Sequence, residues 1–192
     1  MIRTEDFEQV EVTSAAALRA WLEAHHAQER SVWLVTWKKA VPAKYVSKDE
    51  VLDELVCFGW VDGVARVLDE QRTMQLISPR RAQHWARSYK TRVARLTEAG
   101  RMHPAGTAGV EAARTNGMWT FMDDVDDLVV PADLASALAA RPGAAEYFER
   151  IPAAAKRNTL RLIKLARTPQ TRARRIDQTA DLAAHSERVP GT

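Results

Sequence analysis

Seven residues concentrate chemistry: Cys57-Phe58-Gly59-Trp60-Val61-Asp62-Gly63 sets a thiol, an indole and a carboxylate among two glycines. Glycines breaking a bulky apolar run imply backbone in tight quarters, with Trp60 and Asp62 projected from a turn. Aromatic and basic side chains recur nearby in the chain, at Trp37-Lys38-Lys39, Arg80-Arg81, Trp85, Tyr89 and Arg92. Trp85, Tyr89 and Arg92 fall at i, i+4 and i+7, a spacing that places all three on one helix face. Indoles beside a few placed cations suit a small planar or anionic ligand, held by stacking and charge-assisted hydrogen bonds. The expected ligand site, near Trp60, is therefore Trp37, Lys38, Trp60, Asp62, Arg80, Arg81, Trp85, Tyr89 and Arg92. The plainer reading of each residue alone puts the tryptophans in the core and the arginines in solvent.

Other chemistries find less support. His25 and His26 are adjacent, so on a helix they point about 100° apart. His84 and His103 have no partner at ligand spacing, and Cys57 is the single cysteine. The acidic run Asp123-Asp124-Val125-Asp126-Asp127 lacks a calcium loop's glycine, and Leu134 stands where its bidentate glutamate would be. It reads as a solvated loop between helices, and no metal is expected. Cys57 lies in an apolar helical context and reads as structural rather than nucleophilic. The sequence holds no nucleophile elbow, phosphate loop or dinucleotide fingerprint, so no cofactor is expected.

These residues need elements to carry them. Phe7 to Val12 reads as a strand, and Thr13 or Ser14 caps a helix through Leu18, Trp21, Leu22 and His25. Ser31 to Lys38 is the clearest strand. Val32 and Leu34 face one side of it and Trp33, Val35 and Trp37 the other, as in a central strand covered on both faces. Ser47-Lys48-Asp49-Glu50 is a capping box ahead of a helix that Gly59 stops. Asp62-Gly63 is expected to turn the chain, and Val64 to Leu68 and Thr73 to Ile77 read as two strands joined through Asp69-Glu70-Gln71-Arg72. From Pro79 onward the period is helical. The fold expected is α+β: a small, mostly antiparallel sheet of about four strands with packed helices in residues 1–122, then a helical region, 123–192, packed on it.

Charge bounds the partners. The net charge of +3 does not demand nucleic acid, but residues 120–150 hold seven acids and residues 151–192 nine bases. Arg157, Arg161 and Lys164 share one helix sector, and Arg172, Arg174 and Arg175 follow. Such a stripe can meet phosphates, although intramolecular pairing with the acidic stretch is the favoured account. One cysteine and no apolar run near 20 residues agree with a cytoplasmic protein that does not enter a membrane. The oligomeric state is left open.

Taken along the chain, the residues resemble a known family. Ser31 to Val35 with Lys38-Lys39, Cys57 to Gly63, Asp69-Glu70, Pro79-Arg80-Arg81 and Trp85 are similar to the YdeI/OmpD-associated family, described as bacteriocin-protection proteins. The likeness continues through Arg92-Val93, Gly100 to Gly106, Gly117-Met118-Trp119 and Pro169 to Ile176. The Pro42-bearing loop before Tyr45 departs from it, because family members tend to have glycine there. The resemblance implies a cytoplasmic bacterial protein, α+β first and helical after, with a role in stress or bacteriocin protection. It carries over no catalytic residue.

The leading expectation is a non-catalytic protein that binds a small molecule. A metal-free enzyme using Asp62, Tyr89 or His84 as acid or base is the alternative. A module binding nucleic acid or protein through the C-terminal basic helices is a further one.

Overall fold

A computed structural model describes residues 4–191 of the chain. The chain divides into two compact units, residues 1–120 and 121–192.

The first unit is α+β. Strand β1 (Gln9–Glu11) leads into α1 (Ala15–His25), β2 (Val32–Trp37) and α2 (Lys48–Cys57). Then come β3 (Trp60–Val67), β4 (Arg72–Pro79), α3 (Arg87–Glu98) and α4 (Pro104–Thr115). The sheet order is β1-β2-β4-β3. Two of its pairings are antiparallel, but β1 lies parallel to β2 because α1 carries the chain back across before β2 begins. The sheet is therefore mixed.

Local sequence explains most of the elements. Ser14 accepts the Ala17 N–H at the start of α1, and Ser47 and Glu50 form the reciprocal capping box of α2. Strand β2 is covered on both faces, as its composition requires. Val32 and Leu34 enter the main core with Leu18, Leu55 and Trp60, whereas Trp33 and Val35 pack with Met74 and Leu76 behind the sheet. Gly59 ends α2 at φ +74°, a conformation that disfavours any side chain. Helix α4 approaches the same corner so closely that a Cβ on Gly106 would lie 2.1 Å from the Cys57 carbonyl oxygen.

Two expectations change here. Asp62-Gly63 is no turn: both lie within β3, where the register against β4 slips between Asp62 and Ala65. Asp62 pairs with Ile77 and Ala65 with Gln75, so β3 holds one extra residue and the strand bulges. The hairpin connection lies where the sequence places it, between Val67 and Arg72. Trp85 precedes α3 instead of riding on it, and its backbone N–H donates to Met118 O at 3.1 Å. Trp85, Tyr89 and Arg92 thus do not share one helix face.

The second unit is helical: α5 (Asp123–Asp126), α6 (Ala132–Ala139), α7 (Ala144–Arg150), α8 (Ala153–Lys164) and α9 (Pro169–Ala184). Leu134, Leu138, Phe148, Leu160, Ile163 and Ile176 build its core. The acidic stretch expected as a loop forms the single turn α5, and two of its acids are in ion pairs. Lys164 bonds Asp124, and Arg157 lies 3.7 Å from Asp126. Beyond α5, Arg172 meets Asp133 at 2.7 Å. These bridges account for much of the charge asymmetry in the sequence. No helix among the described residues is long and apolar enough to cross a membrane.

Candidate functional site

Alternation along the strands sets one row of side chains on a single sheet face. Trp60 pairs with Pro79, Asp62 with Ile77, Ala65 with Gln75 and Thr36 with Thr73. The row begins in the core. Trp60 is fully buried, its Nε1–H directed to His26 O at 3.4 Å and its ring edge-on to Trp21 at 5.6 Å. Trp85 is buried as well, between Tyr89 at 6.3 Å and Trp119 at 5.2 Å. Both indoles serve as core pieces.

Four of the expected residues do converge. Tyr89 donates its phenol proton to Asp62 Oδ1, and Gln75 Nε2 donates to Asp62 Oδ2 at 3.0 Å. The Arg80 guanidinium sits 4.0 Å from the Trp85 ring centre and 5.0 Å from that of Tyr89, with Nη1 donating to His84 O at 3.3 Å. Burial lowers the pKa of Arg80, and the nearby Tyr89 and Asp62 oppose that shift. Burial, reinforced by the bond to Asp62, pushes the Tyr89 phenol well above its ordinary value. Tyr89 is therefore held protonated at neutral pH and offers a proton rather than accepting one.

The other expected residues lie elsewhere. Trp37 pairs with Arg72, seven residues along β4 from the Pro79 that faces Trp60, a separation of about 23 Å at strand rise. Arg81 is exposed and reaches Glu29 O at 3.3 Å. Arg92 turns to α2, bonding Asp53 and, at 2.8 Å, Asp49.

At the Trp37 end the face opens into a groove of about 400 Å³ between the sheet and the start of α2. Thr36, Thr73 and Gln75 lie along its sheet side, with Leu34, Val46 and Val51 as its apolar wall. Trp37, Lys38, Lys39, Tyr45 and Lys48 also line it. Lys38 is anchored, its Nζ donating to Asp69 O at 2.9 Å and Glu70 O at 3.0 Å. Lys39 and Lys48 are exposed. The Trp37 indole donates to Glu11 at 3.0 Å, and Lys44 rests 4.2 Å from its ring centre. The described lining contains three lysines and no carboxylate.

Sequence reasoning missed two things. One is most of this groove, whose residues come from β2, β4 and the segment leading into α2, with no common spacing. The other is an interior charge network. Asp53 and Glu54 are buried on α2 and engage Arg92, Arg95 and Arg101, and Arg19 and Arg101, respectively. Burial alone would raise the Asp53 pKa, but hydrogen bonds from Arg95 and Arg92 outweigh it and hold the carboxyl below its usual value. Adjacent acids inside an apolar helix, with arginines spaced along α3, were the available signal. Cys57, one residue beyond Val56, is buried, and desolvation followed by the Glu54 charge pushes its thiol up, which suits a structural cysteine.

No curated protein and no solved structure matches the chain. Residues 127–185 match the family model described as Bacteriocin-protection, YdeI or OmpD-Associated, the family the sequence resembles. Residues 10–109 match a different model, described only as a domain of unknown function (DUF8412). The second match spans just over half of the sequence, so the chain belongs to the DUF8412 family and carries a YdeI/OmpD-associated, bacteriocin-protection region at residues 127–185.

Proposed function

We propose that this protein contributes to protection against a toxic compound or stress by binding a small organic anion, without turnover, in the groove at the Trp37 end of the sheet. The observation that carries this reading is the groove lining: Lys38, Lys39 and Lys48 beside an apolar wall, with no carboxylate among the described lining residues. Lys38 is already held by two carbonyls, which leaves the exposed Lys39 and Lys48 to meet the anionic group. Leu34, Val46 and Val51 would cover the ligand's apolar body. The bacteriocin-protection description of the C-terminal region supports the protective role.

Calorimetric titration with benzoate, naphthoate and phenyl phosphate tests the reading. Binding should weaken with added salt, and the double variant Lys39→Glu, Lys48→Glu should lose about tenfold or more in affinity. Equal affinity in the double variant would remove the groove from consideration.

A further inference from the structure

The bulge in β3 has a consequence for the groove. Asp62 Oδ2 and Gly63 O both accept from Gln75 Nε2, at 3.0 and 3.4 Å. A carboxylate and a carbonyl can only accept, so these partners fix which end of the Gln75 amide is nitrogen. Asp62 is itself fixed, because its other oxygen takes the Tyr89 phenol proton. The nitrogen of Gln75 is thereby turned to Asp62 and Gly63. Its Oε1 takes part in no hydrogen bond among the described residues, yet it is not among the buried polar atoms left without a partner. Gln75 therefore offers an accessible acceptor, and Gln75 lines the groove.

We infer that the groove selects organic anions that also carry an N–H or O–H donor, with Gln75 Oε1 as the reading atom and Asp62 and Tyr89 as the positioning residues that set its polarity. This rests on the groove being the anion site proposed above and adds the second half of the ligand's chemistry. The lysines meet the charge. Gln75 then separates anions of like size by whether they can donate a hydrogen bond.

The polarity of Gln75 is imposed, so it can be reversed. In Asp62→Asn the Tyr89 hydroxyl still donates to the remaining amide oxygen, which turns the new NH₂ toward Gln75. Gln75 must then present its oxygen to that NH₂ and its own NH₂ to the groove, giving up the longer contact to Gly63. A purely structural role for Asp62 would weaken all ligands together. A positioning role removes the preference for a ligand that donates.

The test uses the full chain and three probes of one shape: benzoate, a hydroxybenzoate and the matching methoxybenzoate, which accepts but cannot donate. In the wild type, hydroxybenzoate should bind about fivefold tighter than methoxybenzoate. In Asp62→Asn the preference should disappear, because a phenol oxygen and an ether oxygen both accept from the Gln75 NH₂. In Gln75→Met, which can neither donate nor strongly accept, the two should bind alike; this variant decides the matter if Asp62→Asn does not fold. Equal binding of the two probes by wild type, or an undiminished preference for hydroxybenzoate in Asp62→Asn, would overturn the inference while leaving the anion site standing. Failure of all three to bind the wild type would overturn both.

Discussion

Tyr89 on α3 donates its hydroxyl proton to Asp62 in the bulge of β3, joining a helix to a strand that lies 27 residues earlier in the chain. This bond closes a network that continues through Gln75 to the groove and through the stacked Arg80 to the buried Trp85. A residue that a sequence reading places in a turn is thereby a fixed junction of the first unit.

Removing the hydroxyl tests the junction. Tyr89→Phe keeps the ring that Trp85 and Arg80 pack against but leaves Asp62 Oδ1 without its donor. The expected cost is about 1–3 kcal/mol, seen as a lower midpoint in urea denaturation with an unchanged slope. A variant as stable as wild type would mean that water serves Asp62 equally well.

The interior charge network should dominate the response to acid. Glu54→Ala removes the buried acid that Arg19 and Arg101 share but leaves them Glu23 and Asp53, and both side chains are about a third exposed, so the loss should be about 1.5–3 kcal/mol. Asp53 adds a pH signature. Its folded pKa lies below the unfolded one, so its contribution is complete above the usual carboxylate range and is lost as pH falls through the folded value. Asp53→Asn should therefore be less stable than wild type at neutral pH, with the difference shrinking below about pH 4. Denaturation curves at several pH values measure this. A difference that grows toward low pH would contradict the assignment.

Two glycines of α4 should respond oppositely to one methyl group. In Gly106→Ala the added Cβ would meet the Cys57 and Val56 carbonyl oxygens at 2.1 and 2.8 Å, both backbone, so α4 must move away from the end of α2. The expected loss is about 3 kcal/mol. Gly109→Ala meets nothing closer than Gly59 Cα at 4.0 Å and should gain roughly 0.5–1 kcal/mol from helix propensity alone. Thermal unfolding of the pair checks both signs, and equal shifts would argue against the close α2–α4 packing.

How far the site was legible follows from the range of each signal. The aromatic and basic residues were visible as residue types, and four of them, Asp62, Arg80, Trp85 and Tyr89, do meet. Their grouping with Trp37, Lys38, Arg81 and Arg92 could not be judged by proximity in sequence. Trp37 and Trp60 stand at opposite ends of the sheet, and Arg92 answers to acids on α2. Of the groove only Trp37, Lys38 and Lys39 stood out, because Lys48, Gln75 and the apolar wall join them only once β2, β4 and the start of α2 are assembled.

The sequence by itself determined what short-range chemistry controls. That includes the Ser47–Glu50 capping box, the Gly59 stop, the Thr168 cap of α9 and the two-sided burial of β2. Each depends on groups a few residues apart, so periodicity and hydrogen-bonding capacity suffice to read it. Tertiary structure alone decided the parallel placement of β1, the bulge at Asp62 and the polarity of Gln75. These depend on strand register, where a shift of one residue exchanges the two faces of a strand, and no local pattern around Asp62 records which residue of β4 will stand opposite.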